Sequence, residues 1–144
     1  MAKETDWWTS PTESEDGRLI MVTGRRDIDK FRNNPRFTIR VDISWTYDES
    51  PAAAMPSVAD SEIMEQATES INAVLDKDPV AVMTGIYTGA GRRDWVFYTL
   101  STNIFNKKLN EALADLPLLP LQIYAENDPE WAEYEEMREI SEIN

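Results

Sequence analysis

The sequence predicts an α+β domain in which two helices pack on one face of an antiparallel sheet. Three observations lead to this prediction: a strictly alternating strand over residues 36–45, two amphipathic helical stretches, and the element order from residue 36 onward. That order is strand, helix, strand, strand, helix, strand, which is typical of the ferredoxin-like arrangement. An extra N-terminal strand and a C-terminal acidic helix complete the prediction.

The chain has 144 residues, of which 42% are hydrophobic, and this is the length and composition of one globular domain. We expect a loose arm over residues 1–16, where Pro11 lies among many Ser, Thr, Glu and Asp residues. The α+β core is expected over residues 17–125. An acidic helical tail is expected over residues 126–144.

The first elements are short. An apolar strand is predicted over residues 18–23, and the sequence leaves its pairing partner open. One helical turn is expected near residues 27–32, ended by Asn33-Asn34-Pro35. The alternating strand over residues 36–45 follows, and period-two alternation of this length indicates one buried and one polar face. Its apolar face carries Phe37, Ile39, Val41, Ile43 and Trp45.

The first long helix is predicted over residues 58–76, capped by Ser57 and ended before Pro79. Strands are expected over residues 80–88 and 93–100, joined by a glycine-rich turn. The apolar stripe of the helix carries Ile63, Ala67, Ile71, Val74 and Leu75.

The second long helix begins after a cap at Ser101, Thr102 or Asn103 and ends at Pro117. A last strand is expected over residues 119–125. The apolar stripe of this helix carries Phe105, Leu109, Ala112, Leu113 and Leu116.

The chain contains no histidine and no cysteine. This excludes most hydrolase triads, thiol chemistry and the common zinc sites, so we expect no enzyme, no catalytic residue and no cofactor. A pair of carboxylates could still act as acid and base, and Asp42 is the nearest candidate. The simpler interpretation makes Asp42 an ion-pair partner of Arg40 or of a basic residue on a neighbouring strand.

Two further kinds of motif could bind an ion. The acidic strings Asp76-Lys77-Asp78 and Asp128-Pro129-Glu130 are too short for a calcium loop, so we expect no metal site. The string Gly89-Ala90-Gly91-Arg92-Arg93 could present backbone N–H groups to an anion. Because it joins two strands, a hairpin turn is the simpler interpretation.

Charge is distributed unevenly along the chain. The formal net charge is −13, which disfavours nucleic acid and anionic membranes and makes a basic protein the expected partner. Residues 126–144 hold eight acidic residues and one basic residue, whereas residues 17–47 hold seven basic and three acidic residues. The tail could therefore dock on the basic strands, within one chain or between two. The absence of cysteine favours a cytoplasmic location.

Aromatic residues beside charges supply the candidate interaction sites. Trp131 and Tyr134 lie in the acidic tail with Asp128 and Glu135, where they would anchor a partner or staple the tail to its own core. Trp7 and Trp8 lie on the predicted arm and have the same two interpretations. An uncovered sheet face bearing Arg36, Arg40 and Tyr98 would allow a homodimer.

Several strings resemble a known family. Asp94-Trp95-Val96-Phe97-Tyr98 follows the glycine turn, and Asp128-Pro129-Glu130-Trp131-Ala132-Glu133-Tyr134 follows the last strand. With Trp45-Thr46-Tyr47 and Met55-Pro56, these strings resemble DUF695, a bacterial family of unknown function, over residues 8–134. The resemblance implies no activity and transfers no catalytic residue.

The motif Asp-Pro-x-Trp-x-x-Tyr also resembles, more faintly, the B-type regulators of ribonuclease E activity. Those are acidic, ferredoxin-like proteins that bind and inhibit the nuclease, which implies inhibition of a nuclease by analogy of fold alone.

Three functions follow from these observations. The first is a non-enzymatic interaction or regulatory module that binds a basic partner. The second is a binder of a small molecule or carbohydrate, or a carboxylate-based enzyme, which requires a concave pocket with an aromatic residue beside carboxylates. The third is an immunity-type inhibitor of a basic nuclease.

Overall fold

The computed structural model describes residues 7–14, 17–26, 28–48 and 55–143, with side chains described as far as residue 140. Residues 1–6, 15 and 16 of the predicted arm and most of the loop before the first long helix lie outside this part. The described residues form an α+β fold with six strands and four helices. The strands are β1 (Trp7–Glu13), β2 (Leu19–Arg25), β3 (Ile39–Thr46), β4 (Ala81–Gly89), β5 (Arg92–Thr99) and β6 (Leu121–Asn127). The helices are α1 (Asp29–Arg32), α2 (Val58–Lys77), α3 (Thr102–Ala112) and α4 (Ala132–Ile143).

All six strands belong to one antiparallel sheet in the order β1-β2-β4-β5-β3-β6. The strand predicted over residues 18–23 lies within β2, which pairs with β4 on one side and β1 on the other. The prediction of a loose arm over residues 1–16 missed β1. Pro11 is tolerated within β1 because this strand forms the outer edge of the sheet, where one side of the backbone needs no partner.

The alternating strand begins three residues later than predicted. Asn34 holds residues 34–37 in a turn. Its side chain accepts from the N–H of Arg36 at 3.0 Å, and its carbonyl accepts from the N–H of Phe37 at 3.1 Å. Phe37 therefore lies in a turn and packs in the cluster on the opposite sheet face from Val41. The expectation that Phe37 shares the apolar face of the strand is wrong.

The two long helices begin where their caps predict. The Ser57 hydroxyl accepts from the N–H of Asp60 at 3.1 Å, and the Ser101 hydroxyl accepts from Ile104 at 3.3 Å. Helix α3 ends at Ala112, so the apolar stripe extends beyond the helix into the loop that reaches β6.

Two hydrophobic clusters lie on opposite faces of the sheet. We call the face covered by α2 and α3 the inner face and the face covered by α4 the outer face. The inner cluster includes Val41, Ile43, Phe97, Ile71 and Phe105. The outer cluster includes Trp8, Val22, Tyr98, Trp131 and Met137. The acidic tail is therefore a helix that closes a second core.

Candidate functional site

Asp128 fixes the corner between β6 and α4. Its N–H donates to the carbonyl of Thr38 at 2.7 Å, which extends the β3–β6 ladder by one residue. Its carboxylate accepts from the N–H groups of Ala132 at 2.9 Å and Glu133 at 3.2 Å. The hydroxyl of Tyr98 donates to it at 2.6 Å. Burial opposes ionisation of Asp128, but these hydrogen bonds outweigh it and hold the pKa of Asp128 below its usual range.

Trp131 is the most constrained residue of this corner. Its φ of 57° lies in the left-handed region, which a bulky side chain rarely adopts, and only 1% of the residue is exposed. Its ring stacks on Tyr98 with centroids 4.0 Å apart, and its indole N–H donates to the carbonyl of Phe37 at 2.8 Å. Tyr134 meets it edge to face at 5.7 Å and is also buried. Both rings staple the tail to the core, which is one of the two interpretations that the sequence left open.

The acidic tail docks on the basic part of its own chain. Arg32 forms an ion pair with Glu135 and its guanidinium lies 5.6 Å from the ring centroid of Tyr134. The Tyr134 hydroxyl donates to the carbonyl of Arg25 at 2.5 Å. These contacts join residues about 100 positions apart, so the bipolar charge of the sequence is partly neutralised within the molecule.

The two N-terminal tryptophans point to opposite faces because β1 alternates. Trp8 is buried in the outer cluster against Gly24, where a Cβ would meet the indole at 2.3 Å. Trp7 is partly buried against the inner cluster and lies 5.6 Å from the guanidinium of Arg25. Neither residue stands on a free arm.

The sheet face expected to be uncovered is covered where Tyr98 lies. Tyr98 is fully buried beneath Trp131, so the expectation of an open face bearing Arg36, Arg40 and Tyr98 is wrong in this respect. Arg36 is exposed in the turn before β3. Arg40 lies on the outer face, with its Nε 3.3 Å from the Asp42 carboxylate, and it is also 3.9 Å from Glu126.

Two partly buried carboxylates, Asp42 of β3 and Glu133 of α4, lie on the outer face. The hydroxyl of Tyr87 donates to Glu133 at 2.6 Å, while the other carboxylate oxygen of Glu133 is buried with no hydrogen-bond partner among the described residues. Burial raises the pKa of Glu133, and the charge of Asp42 adds to the rise. Burial also raises the pKa of Asp42, and the Arg40 ion pair offsets this only in part.

Of the two partners expected for Asp42, Arg40 is the one it contacts, whereas Glu133 and Tyr87 were not among the predicted site residues. No local signal marks them, because Glu133 lies among exposed glutamates and is separated from Tyr87 by 46 residues. They meet only when α4 docks.

A cleft lies on the outer face next to this pair. It has a volume of about 530 Å³ and is bounded by the β4–β5 turn. Its charged lining combines Arg18 and Arg92 with Asp48 and Asp94, and Tyr87 forms part of its wall. Arg92 pairs with Asp94 at 3.1 Å, so part of this charge is internally compensated.

The exposed side of α4 is acidic. Glu136 and Glu139 are exposed on it, and Glu130 is exposed in the preceding turn. Within the described part of the chain no ion pair involves these three carboxylates. Glu126 at the end of β6 is exposed on the adjoining edge. We call Glu126, Glu130, Glu136 and Glu139 the acidic surface.

Among the described residues, no group of three or more Asp and Glu side chains is placed to hold a metal ion. None of the described helices is both long and apolar enough to cross a membrane.

Comparison with curated proteins and with solved structures finds no match. A family model does match, over residues 6–137, and it describes a family of unknown function, DUF695. The match includes β1, all the core strands and the first half of α4. The chain therefore belongs to the DUF695 family.

Proposed function

We propose that this protein is a non-enzymatic interaction module that binds a basic protein through its acidic surface. The observation that carries the proposal is the distribution of charge after folding. Arg32 and Arg40 pair with carboxylates of their own chain, whereas Glu130, Glu136 and Glu139 stay exposed and form no ion pair within the described part of the chain. Such a surface attracts a basic partner over distance and speeds its association.

The proposal includes the finer fold assignment and the cytoplasmic location. The neighbours β6-β3-β5-β4, with α2 and α3 on one face, support a ferredoxin-like core to which β1, β2 and α4 are added. A basic nuclease is one partner of suitable charge, as the immunity-type alternative requires.

The test is salt-dependent capture from lysate by the immobilised protein, with the retained proteins identified by mass spectrometry. Truncating residues 128–144 is unsuitable because it removes Trp131, Tyr134 and Met137 from the core. A variant with Glu130, Glu136 and Glu139 changed to Gln keeps the fold and removes three charges. The matched control changes Glu62, Glu65 and Glu69, three exposed carboxylates of α2, to Gln.

We expect a basic protein to be retained at low salt and lost at high salt. The α4 variant should lose it, while the α2 variant should keep it. Equal loss in both variants would mean that total charge acts without a defined surface. Retention by both variants would remove the acidic surface from the proposal.

A second candidate function is binding of a small polar molecule such as a sugar. The specific observation is the outer-face cleft of about 530 Å³, in which Tyr87 lies beside Asp94. Its size falls within the range of about 300–1,000 Å³ that is usual for ligand pockets. A panel of sugars and charged metabolites that leaves the midpoint of thermal unfolding unchanged would dispose of this alternative. A ligand that stabilises the wild type but not Asp94→Asn would support it.

A further inference from the structure

The two edges of the sheet are unequal. At one edge β1 carries Pro11 and is in contact with α4, and both features discourage pairing with another strand. At the other edge β6 pairs, among the described strands, with β3 alone, and it contains neither proline nor lysine. Six of its seven residues are exposed. An open strand of this length is a template for an additional strand.

The hydrogen-bond phase of β6 identifies which backbone groups are open. The N–H of Asp128 donates to Thr38, and alternate residues of an antiparallel pair bond to the same neighbour. The even-numbered residues of β6 therefore bond to β3. The backbone groups of Ile123, Ala125 and Asn127 point away from the sheet, where a further strand could bond to them.

An apolar groove on the inner face lies beside the first part of β6, at Leu121 and Ile123. It has a volume of about 380 Å³, and its lining includes Leu109, Leu113, Leu118 and Ile123. Leu118 is 101% exposed and Ile123 is 50% exposed. Alternate side chains of an added strand would point to the inner face, and those beside Leu121 and Ile123 would enter this groove. Apolar side chains there would bury the exposed leucines.

The outer-face side of β6 has the opposite character. Tyr124 and Glu126 project there, and the Tyr124 hydroxyl donates to the Glu126 carboxylate. The guanidinium of Arg40 already lies 5.9 Å from the Tyr124 ring, which shows that a cation fits beside it. The intervening side chains of an added strand would face this ring and carboxylate, so basic residues complement them.

We propose that the basic partner binds by adding a strand to β6, with apolar side chains in the groove alternating with basic side chains beside Glu126. This inference rests on the proposed function and names the mode and chemistry of its partner. A second copy of this chain fits less well, because each copy carries a net charge of −13 and would repel the other.

The experiment measures binding of a capped peptide of alternating valine and lysine, long enough to span β6, at physiological salt. The control peptide has the same sequence with backbone N-methyl groups on alternate residues, which keep the charge and remove strand pairing. The protein variants are Ala125→Pro, which removes an outward N–H only, and Ala125→Val, which keeps it. Circular dichroism and thermal unfolding establish that both variants fold.

We expect the wild type and Ala125→Val to bind the peptide alike. Ala125→Pro should bind at least about tenfold more weakly, as expected for loss of hydrogen bonds at the edge, and the N-methylated peptide should bind as weakly to the wild type. If Ala125→Pro does not fold, Leu118→Lys gives the same test, because it places a positive charge at the fully exposed mouth of the groove. Its matched control is Val58→Lys, which adds the same charge at another exposed site.

Equal binding of both peptides would mean attraction by charge alone, which overturns strand addition and leaves the proposed function intact. If neither peptide binds while capture from lysate still depends on Glu130, Glu136 and Glu139, strand addition is likewise overturned and the proposed function stays intact. If light scattering shows a dimer that Ala125→Pro dissociates, a second copy occupies β6 and the proposal is wrong. Failure of the lysate capture together with failure of peptide binding would remove both proposals.

Discussion

The rings of Tyr98 and Trp131 stack with centroids 4.0 Å apart and an interplanar angle of 11°, and this contact joins the centre of the sheet to the turn before α4. Each ring also makes a hydrogen bond: the Tyr98 hydroxyl donates to the Asp128 carboxylate, and the Trp131 indole N–H donates to the carbonyl of Phe37. Glu136 and Glu139 of the acidic surface are thus presented by a helix whose first turn is fixed to a central strand. This arrangement makes the tail a rigid part of the domain.

The first prediction concerns Trp131. We expect Trp131→Ala to lower the free energy of unfolding by about 3–5 kcal/mol, because it removes a buried ring and leaves a cavity. Trp131→Phe should cost about 1–3 kcal/mol, since it keeps an aromatic ring on Tyr98 but leaves the Phe37 carbonyl without its donor. Urea denaturation measures both. Equal losses in the two variants would show that the stacked ring contributes little.

The second prediction concerns Asp128. Asp128→Ala should cost about 2–4 kcal/mol, because it removes a helix cap and leaves the Tyr98 hydroxyl without an acceptor. The folded state lowers the pKa of Asp128, so its contribution is present above the unfolded pKa of about 3.9 and is lost as pH falls through the folded pKa. The stability gap between wild type and Asp128→Asn should therefore shrink below about pH 4. A gap that stays constant down to pH 2 would contradict this.

The third prediction concerns Glu133, whose effect on stability changes with pH in the opposite direction to that of Asp128. Its pKa is raised by burial, so protonation favours the folded state, and this contribution to stability increases as pH falls through the folded pKa. Glu133→Gln should stabilise the protein at pH 7 by about 1 kcal/mol, because it removes a buried charge and keeps an oxygen that accepts from the Tyr87 hydroxyl. It should also flatten the stability profile between neutral pH and about pH 4.3. The exposed Glu139→Gln is the control. If it changes the free energy of unfolding as much as Glu133→Gln does, the effect comes from the lower net charge and not from burial of Glu133.

The fourth prediction tests how α4 lies on the sheet. A Cβ added to Gly85 would meet the sulfur of the buried Met137 at 2.2 Å. Gly85→Ala should cost about 1–3 kcal/mol through overpacking, and Met137→Ala about 2–5 kcal/mol through a cavity. The double variant should lose less than the sum, because the alanine methyl occupies part of the space left by the methionine. If the losses in the free energy of unfolding are additive, by thermal or urea denaturation, Met137 of α4 does not pack against Gly85.

The local elements were predictable because their signals are local. Serine caps at Ser57 and Ser101 and the alternation of β3 depend on residues a few positions apart. The family resemblance was also confirmed by the match over residues 6–137. The start of β3 was placed too early because Asn34 hydrogen-bonds to the chain beyond Pro35, a side-chain effect that alternation does not reveal.

The rest of the fold depends on contacts between distant residues. Strand β1 was missed because Pro11 and the polar residues around it are typical of loops, and only its place at the sheet edge makes the strand possible. The site was predicted in part: Trp131 and Tyr134 were identified, but their burial is decided by Tyr98 and Arg25, which lie more than 30 positions away.

The position of α4 has a consequence for how the protein is made. Trp8 and Val22 belong to a core that also requires Trp131 and Met137, so the ribosome must deliver residues at both ends before the outer cluster can form. During synthesis the outer face of β1 and β2, with Trp8 and Val22, stays uncovered until α4 has been made. The inner cluster can assemble once β6 has emerged. A chain that ends before Trp131 would leave the outer face of the β1–β2 hairpin, with Trp8 and Val22, without its cover.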